Sequence, residues 1–261
     1  YNSPLYNEEV YLAAGKTIDM ANSTGSIGIE ALDGARVKND GKIIAGKSNS
    51  TSSGVGILGE STVSDETWIE NNGQIVMTDA GIGIYLDYTD KGGKVYNNGK
   101  IESSNAKTLG IYSQLTNSAA PLATPAAEIY NTGDIILTDG SVGIFSENTK
   151  IENSGNIKVG SSTSTGSSVG IYGSKKSEIK NTGGSIEVGN DGIAFYGDDS
   201  KIDISGGSFN VISGTMIYGK NGTDVNFGVN EAVLGEKTGI YLEDSTINLN
   251  GNNLNLSDGG L

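Results

Sequence analysis

Apolar and polar residues alternate in short segments along almost the whole chain, and these segments recur at a regular spacing. The clearest repeated element is an aliphatic residue, a glycine and an isoleucine, usually followed by an aromatic residue. Nine copies are present, 22 to 33 residues apart, centred on residues 28, 56, 83, 110, 143, 170, 194, 216 and 239. A period of this length is typical of solenoid proteins, in which each repeat packs only on its neighbours.

Two further elements follow each triplet. The first is an Ile-x-Asn-x-Gly segment, as in residues 69–73 and 151–155, and the second is a short strand-like segment after the glycine, as in residues 74–77 and 156–159. Polar turn residues separate the elements. Each repeat is therefore predicted to form one coil with three short strands and three turns.

Period-two alternation predicts that Ile82 and Ile84 face the interior, with Gly83 and Tyr85 outside. One coil buries about five aliphatic side chains at roughly 1.5–3 kcal/mol each, whereas ordering about 22 residues costs roughly 1–2 kcal/mol per residue. A single coil is therefore unstable, and only in-register stacking makes its core continuous. The predicted fold is all-β, a right-handed parallel β-helix of about nine coils of roughly 22–28 residues each. Leucine-rich, propeller and left-handed hexapeptide repeats fit the spacing and composition less well.

The prediction treats residues 1–261 as a single β-helix segment and as a fragment of a longer protein. Residues 1–14 lack the repeat and are expected to form an irregular lead-in. Residues 113–128 contain Pro121 and Pro125 and are expected to form an inserted surface loop.

The recurrent asparagine two residues before a glycine predicts a structural ladder. A short amide side chain can hydrogen-bond turn backbone, and in-register stacking would bring equivalent amides together. Asn39 begins the series, and the remaining ladder residues are Asn71, Asn97, Asn131, Asn153 and Asn181.

The aromatic residue after the triplet predicts a stacked column on the outer side. Two interpretations remain open: a platform for sugars, and edge stacking that only rigidifies the rod. The glycines beside this column are expected to leave a flat outer strip.

Composition narrows the possible chemistry. The chain has no cysteine or histidine, a single arginine (Arg36) and a net charge of −14. We therefore expect no cofactor, no metal centre, no nucleic-acid partner, no membrane insertion by this segment and no enzymatic activity. The acidic turns around Asp87, Asp90 and Asp198 leave calcium open as an alternative to solvated carboxylates.

Recognition in repeat proteins usually resides in turns of variable length. Four long insertions occupy residues 45–54, 59–67, 87–94 and 113–128. From these insertions and the aromatic column, the candidate partner-binding residues are Asp87, Tyr88, Asp90, Tyr112, Asn117, Leu122 and Tyr172.

The succession Ile-x-Asn-x-Gly-x-Ile and then Gly-Ile-Gly-Ile-Tyr, as in residues 69–85 and 151–172, resembles the passenger repeats of large fusobacterial autotransporter adhesins. The resemblance implies an extracellular passenger at the outer membrane, exported by type V secretion through its own C-terminal β-barrel. It also implies virulence-related adhesion to a host surface protein, a host glycan or other bacteria. The alternatives are an inert stalk of such a protein and a polysaccharide-active β-helix enzyme.

Overall fold

The computed structural model describes residues 8–61, 65–116, 122–229 and 239–250, together with the short backbone strands 5–6, 233–234 and 255–256. These residues form a parallel β-helix, and every strand pair between coils is parallel. The predicted all-β solenoid is confirmed. No helix within the described ranges is long and apolar enough to cross a membrane.

One face of the solenoid is a ten-stranded sheet, here called sheet A, which contains the Gly-Ile triplets. Equivalent strands of successive coils are neighbours, so each coil contributes one strand in chain order. The strands are Leu5–Tyr6, Ile27–Leu32, Gly54–Ser61, Gly81–Tyr88, Leu109–Leu115, Val142–Glu147, Val169–Ser174, Ile193–Asp198, Thr215–Lys220 and Gly239–Leu242.

The second and third strands of each coil belong to a larger sheet, here called sheet B. Its second-strand series is Glu9–Leu12, Arg36–Asn39, Trp68–Asn71, Lys94–Asn97, Ala127–Asn131, Thr149–Asn153, Asp224–Phe227 and Thr246–Asn248. Its third-strand series is Thr17–Asp19, Lys42–Ala45, Gln74–Met77, Lys100–Ser103, Asp134–Ile136 and Asn156–Val159. In two coils the second and third strands merge into Glu178–Val188 and Lys201–Val211, and Val233–Leu234 pairs separately with Asn255–Leu256.

The described strands extend the solenoid at its N-terminal end. Strand Glu9–Leu12 pairs in register with Arg36–Asn39, and Thr17–Asp19 pairs with Lys42–Ala45. Residues 1–14 are therefore not wholly an irregular lead-in, as the sequence predicted, because they contain two strands of a first coil. Coils are numbered here 1 to 10, each beginning with its sheet A strand.

Stacked aliphatic columns fill the interior. The inward-facing isoleucines of the central coils are almost completely buried, because each strand presents these side chains to the interior and the next coil covers them. The members of the columns include Ile57, Ile84, Ile111 and Ile144 of sheet A, and Ile43, Ile75, Ile101, Ile135, Ile69, Ile129 and Ile151 of sheet B.

The triplet glycines face inward, which contradicts the expected outer strip. Gly83 and Ile84 are both buried, so the alternation is interrupted and Ile82 is only half-buried. A β-carbon on Gly83 would lie 2.6 Å from the backbone oxygen of Gly110 and 2.6 Å from Cγ2 of Ile101. The glycine therefore makes room for the core isoleucine of the third strand, a requirement that simple alternation does not reveal.

The asparagine ladder is confirmed. Asn39, Asn71, Asn97, Asn131, Asn153 and Asn181 are fully buried, and Nδ2 of each residue up to Asn153 donates to Oδ1 of the next at 2.7 Å. The ladder ends where Nδ2 of Asn181 donates to the backbone oxygen of Gly206. Each buried amide is thereby paired, which offsets the cost of removing it from water.

Replacing Gly83 by alanine is expected to destabilise the rod by about 1–3 kcal/mol, because the new methyl group overlaps backbone and a core side chain. Gly183→Ala is the matched control, since a β-carbon there would lie 3.7 Å from its nearest neighbour. Urea unfolding followed by circular dichroism measures both. Equal stability of the two variants would contradict the inward position of Gly83.

Asn97→Ala is expected to cost about 1–3 kcal/mol, since it leaves Nδ2 of Asn71 and Oδ1 of Asn131 buried without their ladder partners. Asn98 is exposed and also bonds to neighbouring coils, so Asn98→Ala is the control, with an expected change below about 0.5 kcal/mol. Thermal unfolding of both variants tests the ladder; similar melting temperatures would show that it contributes little.

Candidate functional site

The longest turns between sheet A and the second strand occur in three successive coils. They span residues 62–67 in coil 3, 89–93 in coil 4 and 116–126 in coil 5. The corresponding connection is one residue, Asn148, in coil 6 and residues 175–177 in coil 7. Parallel stacking therefore gathers three of the four predicted insertions at one edge, here called the long-turn corner; residues 45–54 lie at a different corner.

The turn of coil 4 is held between its neighbours. The backbone N–H of Thr89 donates to Ser61, the N–H of Lys94 donates to Thr67, and the N–H of Thr116 donates to Tyr88. A β-carbon on Gly92 would overlap the backbone of Ala126, so the turns of coils 4 and 5 are in close contact. The corner is thus a layered surface.

Carboxylates line the sheet A side of this corner. Glu60 and Asp87 are register partners on adjacent strands, and Asp90 is exposed in the turn of coil 4. Partial burial and repulsion from Asp87, Glu30 and Asp33 raise the pKa of Glu60. The structure therefore brings Asp87 together with Glu60, which the sequence analysis did not select, while Asp90 lies exposed in the following turn.

Tyr88 is buried, with 1% of its side chain exposed, and this contradicts a role for its ring in partner contact. Its hydroxyl donates to the backbone oxygens of Glu147 at 2.6 Å and Asn148 at 2.7 Å. Those residues belong to coil 6, so the side chain reaches past the level of coil 5. The inward alternation Ile84, Leu86, Tyr88 was the available sequence signal.

Leu122 is not the exposed tip expected for the inserted loop. Its side chain packs against the hydrophobic core, and its backbone oxygen accepts a hydrogen bond from Nδ2 of Asn148 at 2.9 Å. Ala123 is exposed beside it. Asn117 lies outside the described residues. Strands reach Leu115 and begin again at Ala127, so the turn is shorter than the predicted loop over residues 113–128.

The predicted aromatic column is present on the outer side of sheet A. Its seven rings have centroids 4.5–5.1 Å apart and comprise Tyr85, Tyr112, Phe145, Tyr172, Tyr196, Tyr218 and Tyr241. Tyr85 stacks face to face on Tyr112, at an interplanar angle of 9°. Three of the six ring contacts are face to face and cover the ring faces that a sugar would need, whereas the other three, on both sides of Phe145 and between Tyr172 and Tyr196, are edge to face.

Tyr112 lies beside the long-turn corner, whereas Tyr172 lies two coils farther along the rod. Burial, followed by repulsion from Glu147 and Asp87, raises the pKa of Tyr112 to about 12. Burial, followed by repulsion from Asp198 and the neighbouring Tyr196, raises the pKa of Tyr172 to about 12. Both phenols therefore remain protonated well beyond neutral pH.

A second aromatic cluster on sheet B was missed by the sequence analysis. Trp68 contacts Tyr96, which stacks on Tyr130 with centroids 5.0 Å apart. The Arg36 guanidinium lies 5.0 Å from the centre of the Trp68 ring, and the Lys94 ammonium lies 5.6 Å from it. Aligning the second strands would have placed Tyr96 and Tyr130 together, one residue after the core aliphatic, with Trp68 one residue before it.

The surface also has two shallow hollows, the first of which borders the coil 5 turn of the long-turn corner. One, of about 190 Å³, is lined by residues including Ala123, Lys176 and Asp199, and the other, of about 250 Å³, by residues including Ile136 and Lys158. Across the described part of the chain, no three Asp or Glu side chains are grouped to hold a metal ion. No family model, curated protein or solved structure matches the chain.

Stability is expected to fall as pH rises from about 10 to about 12. The unfolded chain loses phenol protons near the reference pKa of 10.0, while Tyr112 and Tyr172 retain theirs when folded. The double variant Tyr112→Phe/Tyr172→Phe should lose less of its melting temperature over this range. Tyr241→Phe is the control, because Tyr241 is 52% exposed. If the melting temperature falls by the same amount from about pH 10 to about pH 12 in the unmodified chain, the double variant and Tyr241→Phe, this explanation is contradicted.

Proposed function

We propose that this chain is a segment of a rod-shaped, cell-surface adhesin, and that it binds its partner through the long-turn corner of coils 3–5. The repeat pattern that resembles autotransporter passengers supports the surface location, and the long-turn corner supports the position of the site. The partner is a protein or glycan on a host cell or on another bacterium.

The observation that carries the proposal is the convergence of three lengthened turns in consecutive coils. A rod needs only a one-residue connection at this corner, as Asn148 shows in coil 6. The additional residues of coils 3–5 are therefore not required to close the coils. In a repeat scaffold, such additions create a local surface that differs from the rest of the rod.

The later coils favour a second role, that of a shaft. In coils 6–9 the same connection contains one to three residues, and the strands remain in register. We propose that these coils hold the long-turn corner away from the cell surface. If the entire chain acts only as a stalk, the long-turn corner has no partner of its own.

The test uses the 261-residue chain coupled to beads and measures attachment of bacterial and epithelial cells. The corner variant combines Asp90→Asn with replacement of residues 117–121 by glycine and serine, which leaves Leu122 in place. The control combines Asp191→Asn with glycine–serine replacement of residues 163–167, which changes only Thr163 and Thr165, at a different corner. We expect at least a tenfold loss of attachment for the corner variant and little change for the control.

Circular dichroism and the melting temperature establish that both variants remain folded. If the unmodified chain attaches to no cells, the stalk role is supported instead of adhesion. An equal loss in both variants would contradict binding at the long-turn corner. Release of sugars from a panel of acidic and neutral polysaccharides would instead support the enzymatic alternative.

A further inference from the structure

The outer face of sheet A bears an apolar strip two residues wide. Because Gly83 and Ile84 both face inward, Ile82 and Tyr85 both lie on the outer side of coil 4. Register repeats this arrangement in the neighbouring coils, where Leu109 and Val142 continue the aliphatic column beside the aromatic column. In coils 4–6 the side chains of both columns are half-buried, so the strip reaches the solvent there, whereas the equivalent Val55 and Leu58 of coil 3 are buried.

The strip is straight and long compared with a single side chain. Seven rings at 4.5–5.1 Å separation extend over about 30 Å, since strands stack at about 4.8 Å. A helix of a partner has a pitch of about 5.4 Å, close to this spacing, so successive helical turns can lie beside successive coils. The strip therefore fits an extended apolar surface better than an isolated ligand.

A polar column borders the strip on the side of the long-turn corner. It contains Glu60, Asp87, Gln114, Glu147 and Asp198, one from each of five coils. Farther along, the carboxylates are neutralised: Lys175 lies 3.0 Å from Glu147, and Lys220 lies 3.0 Å from Asp198.

In coils 3 and 4, by contrast, the carboxylates of this column are not neutralised. Among the described residues, no lysine or arginine forms an ion pair with Glu60 or Asp87. Oδ1 of Asp87 is also buried without a hydrogen-bond partner in this part of the chain. The unneutralised end of the border thus coincides with the long-turn corner.

We propose that the apolar strip of coils 4–6 and the acidic border of coils 3 and 4 form a docking surface for a protein segment that carries both apolar and basic side chains. Apolar residues of the partner would cover Ile82, Leu109 and the neighbouring rings, and ammonium or guanidinium groups would approach Glu60 and Asp87. This inference deepens the proposed adhesin function by giving the chemistry of the partner.

The charge and the ring packing of the surface favour a basic, apolar protein segment over other partners. A second copy of a chain with net charge −14 would be repelled, and so would an anionic membrane. A glycan would find ring faces covered by neighbouring rings in the Tyr85–Tyr112, Tyr196–Tyr218 and Tyr218–Tyr241 pairs. A partner with an apolar face and a cationic rim can contact the apolar strip and pair with the acidic border at the same time.

The probe is a synthetic 18-residue amphipathic peptide of leucine and lysine, compared with a scrambled peptide of the same composition. Binding to the 261-residue chain is measured by fluorescence anisotropy at physiological salt. We expect the amphipathic peptide to bind at least tenfold more tightly than the scrambled one, because only the former presents an apolar face to the strip.

Two double variants locate the site. Glu60→Gln/Asp87→Asn should weaken peptide binding tenfold or more, whereas Glu178→Gln/Asp203→Asn removes the same charge from sheet B and should change it less than threefold. Equal effects of the two pairs, equal binding of both peptides, or preferential binding of anionic vesicles would each overturn the inference.

The cell-attachment assay separates this inference from the proposed function. Attachment that persists while the amphipathic peptide fails to bind would leave the adhesin role standing and remove the docking surface. Peptide binding at sheet A without attachment to any cell would support the docking surface and remove the adhesin role.

Discussion

Backbone hydrogen bonds between equivalent strands of successive coils determine the position of every other group in the rod. Their parallel register places Ile84 beside Ile111 and Tyr85 beside Tyr112. Columns of one chemistry, whether aliphatic, amide, aromatic or acidic, follow because each residue type recurs at the same place in the repeat. The surface is consequently organised in lines along the rod rather than in pockets.

The asparagine ladder shows how this constraint allows polar groups inside. Nδ2 of Asn39 donates to Asn71, Asn71 donates to Asn97, and so on in one direction, while each amide remains completely buried. A buried amide in a single coil would lack these partners and would be costly. Repetition thus converts an unfavourable residue into a continuous hydrogen-bonded column at the turn between the second and third strands.

Much of this architecture could be predicted from sequence, since fixed spacing reveals both register and coil number to within one coil. The ladder and the aromatic column followed from spacing alone. Strict alternation failed at Gly83, because two consecutive residues face inward to accommodate Ile101. Tyr88 and Leu122 were misjudged since a turn was assumed to begin where the strand and the core in fact continue.

The gathering of long turns at one edge was not predicted either, although the insertions themselves were. Insertion positions in a sequence do not show which of three corners they occupy until the register is known. Residue pairs such as Glu60 and Asp87 are distant in sequence but adjacent in space for the same reason. The groups that form a site in a solenoid are therefore found by comparing equivalent positions of successive repeats.

Tyr88 gives the rod an uneven response to mechanical load. Most contacts join one coil to the next, so tension along the axis can separate the coils one layer at a time. The Tyr88 hydroxyl instead joins coil 4 to the backbone of coil 6, at Glu147 and Asn148. Parting coil 4 from coil 5 therefore also breaks the link from coil 4 to coil 6. A pulling force on these coils would have to break this link in addition to the backbone pairing of neighbouring strands.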